Sequence, residues 1–281
     1  ADLSSQRRKV AGDGDMITVA GRDSRMLDIL KTRLQQGYRT MRYPAGPAPE
    51  LPARFAGRPT VDGDGCAHDC RACAEACPTG AIVVGGDATR VRLDTGRCLF
   101  CRDCHAACPR QAIRFGQDHR LAGAKREDLV VGDGPARAPA AFHAKARELF
   151  GRSLKLREVS AGGCNACEAD TNVLNTVAWD LGRFGIQFVA SPRHADGLLI
   201  TGPVTVNMRL ALQKTYEAVP APKIVIAVGA CAVSGGPYIG HPEILDGAAA
   251  VVPVDLFVPG CPPHPLTILD GLLRLLGKIQ E

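Results

Sequence analysis

Twelve cysteines stand in a chain of 281 residues, and their spacing calls for thiolate chemistry. Eight fall between residues 66 and 108: Cys66, Cys70, Cys73, Cys77, then Cys98, Cys101, Cys104, Cys108. Cys70, Cys73 and Cys77-Pro78 recur as Cys101, Cys104 and Cys108-Pro109, an offset of 101 − 70 = 31 residues, and Ala81-Ile82 recurs as Ala112-Ile113. Three closely spaced thiolates can wrap one iron-sulfur cube while a fourth, before proline, reaches a second cube. On that pattern one 4Fe-4S cluster takes Cys66, Cys70, Cys73 and Cys108, and another takes Cys98, Cys101, Cys104 and Cys77. The register breaks once, because three residues separate Cys66 from Cys70 and two separate Cys98 from Cys101. A small bulge absorbs the extra residue, or His68 substitutes as a ligand.

The other four cysteines lie further on. In Ala161-Gly-Gly-Cys164-Asn-Ala-Cys167-Glu168 a strand-like run gives way to a helix-like one, so two thiolates lie at a helix start, which favours anions. Cys231 and Cys261 each follow a further apolar strand-like run. Together the four can hold a third cluster, and the twelve cysteines are then all used. Gly162, Gly163, Gly229, Gly235, Gly236 and Gly260 flank them and let backbone amides approach sulfur closely. Glu168 has two readings: it favours the helix N-terminus, or it handles protons beside a reducing centre.

Other chemistries fit less well. Tetrahedral zinc is usually built from two separated Cys pairs rather than from triplets ending in Cys-Pro. A disulfide framework belongs to shorter secreted chains. The stretch Gly229-Ala-Cys-Ala-Val-Ser-Gly-Gly236 lacks the spacing of a dinucleotide fingerprint and the lysine of a P-loop.

The elements that must position these residues follow from periodicity. From residue 153 the pattern alternates: strand 154–160, helix about 168–183, strands 186–190 and 197–201, helix 207–219, strands 223–228 and 254–258, helix 265–277. This predicts an α/β fold, a flavodoxin-like, mostly parallel sheet with flanking helices, whose ligands collect beyond the carboxyl ends of its strands. Ser191–Asp196 is too short for an ordinary parallel crossover, so one flanking strand is irregular, antiparallel or not a neighbour. Ahead of it stands a ferredoxin-like domain for two 4Fe-4S clusters. The domain reading is 1–60, a basic arm with an amphipathic helix (Met26, Leu27, Leu30, Leu34) and a proline-rich strap; 61–131, the two-cluster domain; 132–152, a linker and short helix; 153–281, the third-cluster domain.

Charge excludes little by itself. The formal charge is +5, but three oxidised clusters at roughly −2 each bring it to about +5 − 6 = −1. Basic residues do not interleave with aromatics, so nucleic acid is not an expected partner. Apolar runs fall short of the roughly 20 residues of a membrane helix, interrupted by Asp196, Asp255 or Asp270. Arg7-Arg8 is followed by Gly12-Asp13-Gly14-Asp15 rather than an apolar core, so the expectation is a cytoplasmic protein.

Over about residues 150–277 the sequence resembles the small subunit of membrane-bound group 4 nickel-iron hydrogenases, such as that of formate hydrogenlyase. The residues are Gly163-Cys-Asn-Ala-Cys-Glu168, Ser191-Pro-Arg-His-Ala-Asp196, Gly229-Ala-Cys-Ala-Val-Ser-Gly-Gly236 and Val258-Pro-Gly-Cys-Pro-Pro263. The terminal-cluster subunit of respiratory complex I shares most of these motifs but sets two ligand cysteines side by side, where here Asn165 and Ala166 intervene. Residues 24–131 resemble the ferredoxin-like subunit of the same enzymes, normally a separate polypeptide. The resemblance implies that Cys164, Cys167, Cys231 and Cys261 hold the proximal 4Fe-4S cluster next to a nickel-iron hydrogenase-like large subunit. It further implies membrane-arm subunits, an electron-donor or acceptor subunit or ferredoxin, and attachment to the inner face of the cytoplasmic membrane through those partners. Its alternatives are a complex I-like quinone reductase or nickel-free relative, and a zinc-stabilised scaffold.

Overall fold

A computed structural model describes residues 22–62, 66, 70–85, 91–132 and 149–279, with side chains from residue 26 onward. The alternative ligand His68 and most of the expected short helix before residue 150 lie outside the described residues.

The described residues fall into two units, divided between Arg39 and Thr40. In the first, helix α1 (Arg22–Gln36) ends where Gly37, at φ +60°, donates its N–H to Arg33 O. This is the left-handed stop that glycine adopts without a Cβ penalty. Met26, Leu27, Ile29, Leu30 and Leu34 are all exposed on it.

In the second unit the 31-residue repeat becomes a structural repeat. Helix α2 (Ala72–Glu75) and strand β2 (Ile82–Val84) recur as α3 (Asp103–Ala107) and β4 (Ile113–Phe115). Strand β1 (Pro59–Val61) pairs antiparallel with β4. β2 pairs antiparallel with β3 (Val91–Asp94), which pairs with β5 (Val130–Val131). Cysteine forms much of the small core here: Cys73, Cys98 and Cys104 are buried among Ala81, Ile82, Val91, Leu93 and Ile113.

The remainder is a five-stranded parallel sheet, order β10-β9-β8-β6-β7. Its strands are β6 (Leu154–Ser160), β7 (Ile186–Phe188), β8 (Gly197–Thr201), β9 (Ile224–Val228) and β10 (Leu256–Val258). β8 and β9 are buried at every position, as central strands covered on both faces must be. The helices are α4 (Ala166–Val173), α5 (Val206–Ala218), α6 (Ala230–Ser234) and α7 (Pro265–Leu275). Two cores, one on each face, hold Leu154, Leu156, Leu266 and Leu269 on one side and Val159, Ile200, Val225 and Ala227 on the other.

Two details differ from the periodicity. The expected helix 168–183 stops at Val173, where Thr176 Oγ1 turns back to Val173 O and a left-handed Asp180 redirects the chain. Such hydroxyl-to-backbone bonds compete with helix continuation. The short 189–196 connection is explained by non-adjacency: β7 and β8 flank β6 on opposite sides. β7 ends beside Leu156, and β8 begins beside Leu156, so the chain needs only to cross β6, not to return along it.

The two-cluster region is fastened to the sheet domain. Gly123 and Phe257 exchange backbone hydrogen bonds at 2.9 Å each, and Ser234 Oγ donates to Gly96 O at 2.9 Å. Asp270 on α7, with no exposed surface, accepts from Tyr43 Oη at 2.7 Å and Arg274 Nε at 2.9 Å, with His119 Nε2 at 3.9 Å.

Candidate metal centres

In the repeat region the thiols fall into two neighbourhoods. Burial pushes the Cys73 thiol above its ordinary value, and negative charge on Cys108, Cys66 and Cys70 pushes it further. Cys98 is pushed up to about 12, by burial first and then by Cys104, Cys77 and Cys101, against a hydrogen bond from Phe100 N–H. Cys104 is pushed up to about 11 by burial, Cys101 and Cys77. Each pre-proline cysteine therefore sits with the other repeat's triplet. The sulfurs also receive matching donors: Ala81 N–H to Cys77 Sγ at 3.2 Å and Ala112 N–H to Cys108 Sγ at 3.3 Å. Backbone N–H groups aimed at sulfur stabilise thiolate over thiol.

The third site is assembled by strand ends. Beyond β6, Gly162 and Gly163 lead to Cys164, and a left-handed Asn165 turns the chain so that Cys167 enters the first turn of α4. Beyond β9, Gly229 takes φ +92°, and a Cβ there would run into Cys167 Sγ. Gly229 N–H bonds to Val258 O and Ala230 N–H to Gly260 O, both at 2.8 Å, which fastens the loop before Cys231 to the loop carrying Cys261. His264 Nδ1 accepts from Leu266 N–H at 3.1 Å, capping α7 just after that loop.

These contacts bring Cys164, Cys167, Cys231 and Cys261 together. Burial pushes the Cys167 thiol up, followed by charge on Cys231, Glu168, Cys261 and Cys164. Cys231 is pushed up to about 11 by burial, Cys261 and Cys164. Cys261 is pushed up by burial, then by Cys164, and then by Cys101 from the repeat region. A cavity of about 430 Å³ lies at this junction, lined by Leu99, Phe100, Cys261, His264 and Thr267 among others.

Burial first, and their neighbours second, keep these grouped thiols protonated when no metal is bound; a bound cluster would take them as thiolates and release their protons. A single zinc ion draws its sulfurs to within about 4 Å of each other, given Zn–S of about 2.3 Å. Among the described residues no group of three or more His, Cys, Asp or Glu is arranged to hold one metal ion. The all-thiol donor sets, with backbone N–H groups turned to the Cys77, Cys98 and Cys108 sulfurs in the repeat region, fit a cluster.

Glu168 is only 6% exposed. Its Oε1 accepts from Ser160 Oγ at 2.6 Å and Thr201 Oγ1 at 2.7 Å. Burial pushes its carboxyl up, but those two donors and its own N–H outweigh that and hold it below the usual carboxylate range. Of its two readings, the geometry gives a buried, ionised carboxylate between two strand ends. Sequence reasoning passed over Glu158. It continues the β6 positions Leu154 and Leu156 that face the core, where the two-residue alternation calls for an apolar side chain. That mismatch was the available signal.

Comparison with known proteins adds two matches. Residues 164–275 match the family described as NADH ubiquinone oxidoreductase, 20 Kd subunit, and residues 65–112 match the 4Fe-4S dicluster domain. The chain is 43% identical over 134 residues to the probable membrane-bound hydrogenase subunit mbhJ of Pyrococcus furiosus, covering 48% of this chain and 80% of that one. It is 42% identical over 122 residues to an NADH-quinone oxidoreductase subunit of Heliobacterium modesticaldum, covering 43% and 70%. With formate hydrogenlyase subunit 7 of Escherichia coli it shares 42% over 130 residues, covering 46% and 51%.

Proposed function

We propose that this chain, which belongs to the NADH ubiquinone oxidoreductase 20 Kd subunit family and carries a 4Fe-4S dicluster domain ahead of that part, relays single electrons through three 4Fe-4S clusters to or from the nickel-iron site of a partner hydrogenase large subunit. Its class is plain: an electron-transfer subunit of an oxidoreductase complex with iron-sulfur domains. The ligand sets are Cys66, Cys70, Cys73 and Cys108; Cys98, Cys101, Cys104 and Cys77; and Cys164, Cys167, Cys231 and Cys261. Bound there, the clusters supply one-electron redox chemistry.

The observation that carries the reading is the third site. Its cysteines are spread over 97 residues (261 − 164 = 97), yet Cys167 feels charge on the other three, Cys231 feels Cys261 and Cys164, and Cys261 feels Cys164. Cys101 reaches Cys261 with its charge, so the set completed by Cys77 stands next to the third site and the set completed by Cys108 is the remote one. The chain's own residues fix that spacing through Gly123, Phe257 and Asp270. Residues 61–131 and 153–281 act as the two functional units.

Among the described residues no helix is long and apolar enough to cross a membrane. A relative named as a probable membrane-bound hydrogenase subunit supports peripheral attachment at the inner face of the cytoplasmic membrane through membrane-arm partners, with a donor subunit or ferredoxin at the remote cluster. A second reading, a complex I-like quinone reductase, is favoured by the 42% identity to an NADH-quinone oxidoreductase subunit. Metal analysis of the complex purified anaerobically separates them. Nickel with about 12 iron atoms per chain supports the hydrogenase reading, and iron without nickel supports the second. Stoichiometric zinc without acid-labile sulfide overturns both in favour of a scaffold. Cys261→Ser lowers iron to about 8 per chain; retention of all the iron removes Cys261 from the site.

A further inference from the structure

Two of the cysteine sets face each other across a cavity. Leu99 and Phe100, between Cys98 and Cys101, form one wall, and residues 259–264, which carry Cys261, form another, around about 430 Å³. Walls that face across a cavity make no contacts through it, so the cavity itself holds neither loop in place. One tie between the two sets is direct: Ser234 Oγ, three residues after Cys231, donates to Gly96 O, two before Cys98, at 2.9 Å.

A second tie runs through the strap. Phe55 N–H bonds to Pro52 O at 2.7 Å and Gly57 N–H to Gly116 O at 2.9 Å, which turns the strap and pins it to the repeat region. A Cβ at Gly57 would run into Asp118 O and the Phe55 ring, so glycine lets the strap lie this close. Arg102, the residue after Cys101, holds the Phe55 carbonyl: its Nη2 donates at 2.6 Å, and Gln117 Nε2 donates at 3.3 Å. The charged donor makes the first of these a strong hydrogen bond. Arg102 reaches it from a left-handed backbone, φ +69°, with its Nε buried and unpartnered. Both features cost free energy. The Phe55 ring meets His264 edge-on, with centroids 5.5 Å apart, and Trp179 meets the same imidazole edge-on at 6.1 Å. His264 is fixed in turn by Leu266 N–H on its Nδ1, at the start of α7 and three residues after Cys261. Phe55 thus joins the neighbour of Cys101, through its carbonyl, to the loop of Cys261, through its ring.

We infer that Phe55 is a positioning residue for the relay: clamped by Arg102 and set against His264, it fixes the separation of the set of Cys77, Cys98, Cys101 and Cys104 from the set of Cys164, Cys167, Cys231 and Cys261, and with it the rate at which one electron leaves one set and arrives at the other. Phe55 acts on distance rather than on ligation. Electron tunnelling falls exponentially with distance, and a misplacement of about 1 Å between reacting groups can already cost about 100-fold. This rests on the reading of both sets as cluster ligands.

The test uses the cluster-loaded chain with its partners. With both clusters reduced, EPR reads the magnetic interaction between them, which falls with the cube of distance. Photoreduction followed by freeze-quench EPR reads the transfer rate. Phe55→Ala should weaken the interaction and slow the transfer about tenfold or more, with full iron and the wild-type line shape of each cluster reduced alone. Phe55→Tyr keeps the ring and should keep both readouts. Wild-type interaction and rate in an iron-complete Phe55→Ala overturn the inference, and so does a Phe55→Tyr as impaired as Phe55→Ala. If Phe55→Ala loses iron, Arg102→Gln decides, since it removes the charged donor to Phe55 O and leaves the ring. A weaker interaction at full iron then upholds the proposal. An unchanged interaction overturns it, and loss of iron here too overturns it by making the strap a condition of folding rather than of spacing. A wild-type protein lacking the EPR signal of either cluster sinks the reading of the cysteine sets themselves, which is a distinguishable failure.

Discussion

The two cysteine-rich regions solve one problem in opposite ways. In the repeat region the thiols are close in sequence and also form much of the core, since Cys73, Cys98 and Cys104 are buried among a few aliphatic side chains. In the sheet domain the thiols sit on loops and first helical turns beyond strands whose core is made by aliphatic side chains: Leu154, Leu156, Leu198, Leu199 and Ile200 are wholly buried. One region is built around its cysteines, and the other presents them on an aliphatic scaffold. The difference predicts which half depends on metal for its fold.

Iron removal is the most direct way to break that comparison. Anaerobic chelation should unfold the repeat region, because buried thiols without metal leave too small a core, as in other metal-held small domains. The parallel sheet should persist. Hydrogen exchange reads both at once: amides of β2, β3 and β4 lose protection by about 100-fold or more, while those of β8 and β9 keep theirs. Equal loss in both halves would show that the sheet domain also needs its metal.

The next largest effect is expected at the joint. Asp270 is buried with partners on the strap and on its own helix, at Tyr43 and Arg274. Asp270→Asn leaves the mostly buried Arg274 guanidinium without its counter-charge and should cost about 3–5 kcal/mol. Thermal unfolding of the loaded protein measures it. A loss under about 1 kcal/mol would mean that packing and the Gly123–Phe257 bridge hold the joint without the ionic node.

These residues also mark what the sequence could disclose. The repeat was legible because local ligand spacing is set by the cube, and the fold class because buried parallel strands read as continuous apolar runs such as Ile224–Val228. Aspartates 196, 255 and 270 read only as charges interrupting apolar runs. Asp196 and Asp255 instead accept from Lys155 N–H and Val225 N–H at the strand starts, at 2.7 and 2.8 Å, and Asp270 meets a tyrosine 227 residues away. Pairings over such separations leave no local pattern. The same limit hid the partnerships of Glu168, whose donors come from two different strands.

A narrower break targets the third site alone. Gly229→Ala places a methyl group against Cys167 Sγ and forces a side chain into φ +92°. The protein should lose the third cluster, about 4 iron atoms, and keep the other two with an intact fold. Loss of iron from the repeat region as well would show that the two regions load cooperatively.

The smallest expected effect sharpens how rigid the aliphatic scaffold is. Thr201→Val removes one of the two hydroxyl donors to Glu168 while keeping the β-branched shape in β8. A hydrogen bond to a buried charged group contributes about 1.5–3 kcal/mol, so the loss lies in that range or just below it, because Ser160 remains. The pH dependence identifies the cause. Glu168 has a folded value below its unfolded one, so its ionised form stabilises the protein above the unfolded value, and that contribution disappears as pH falls through the folded value. Thr201→Val raises the folded value, narrowing the window and starting acid unfolding at higher pH. The deficit should therefore be full near neutrality and shrink toward low pH, where Glu168 is protonated in both proteins. A deficit independent of pH would place the cost in packing against Val159 and the sheet rather than in the held charge.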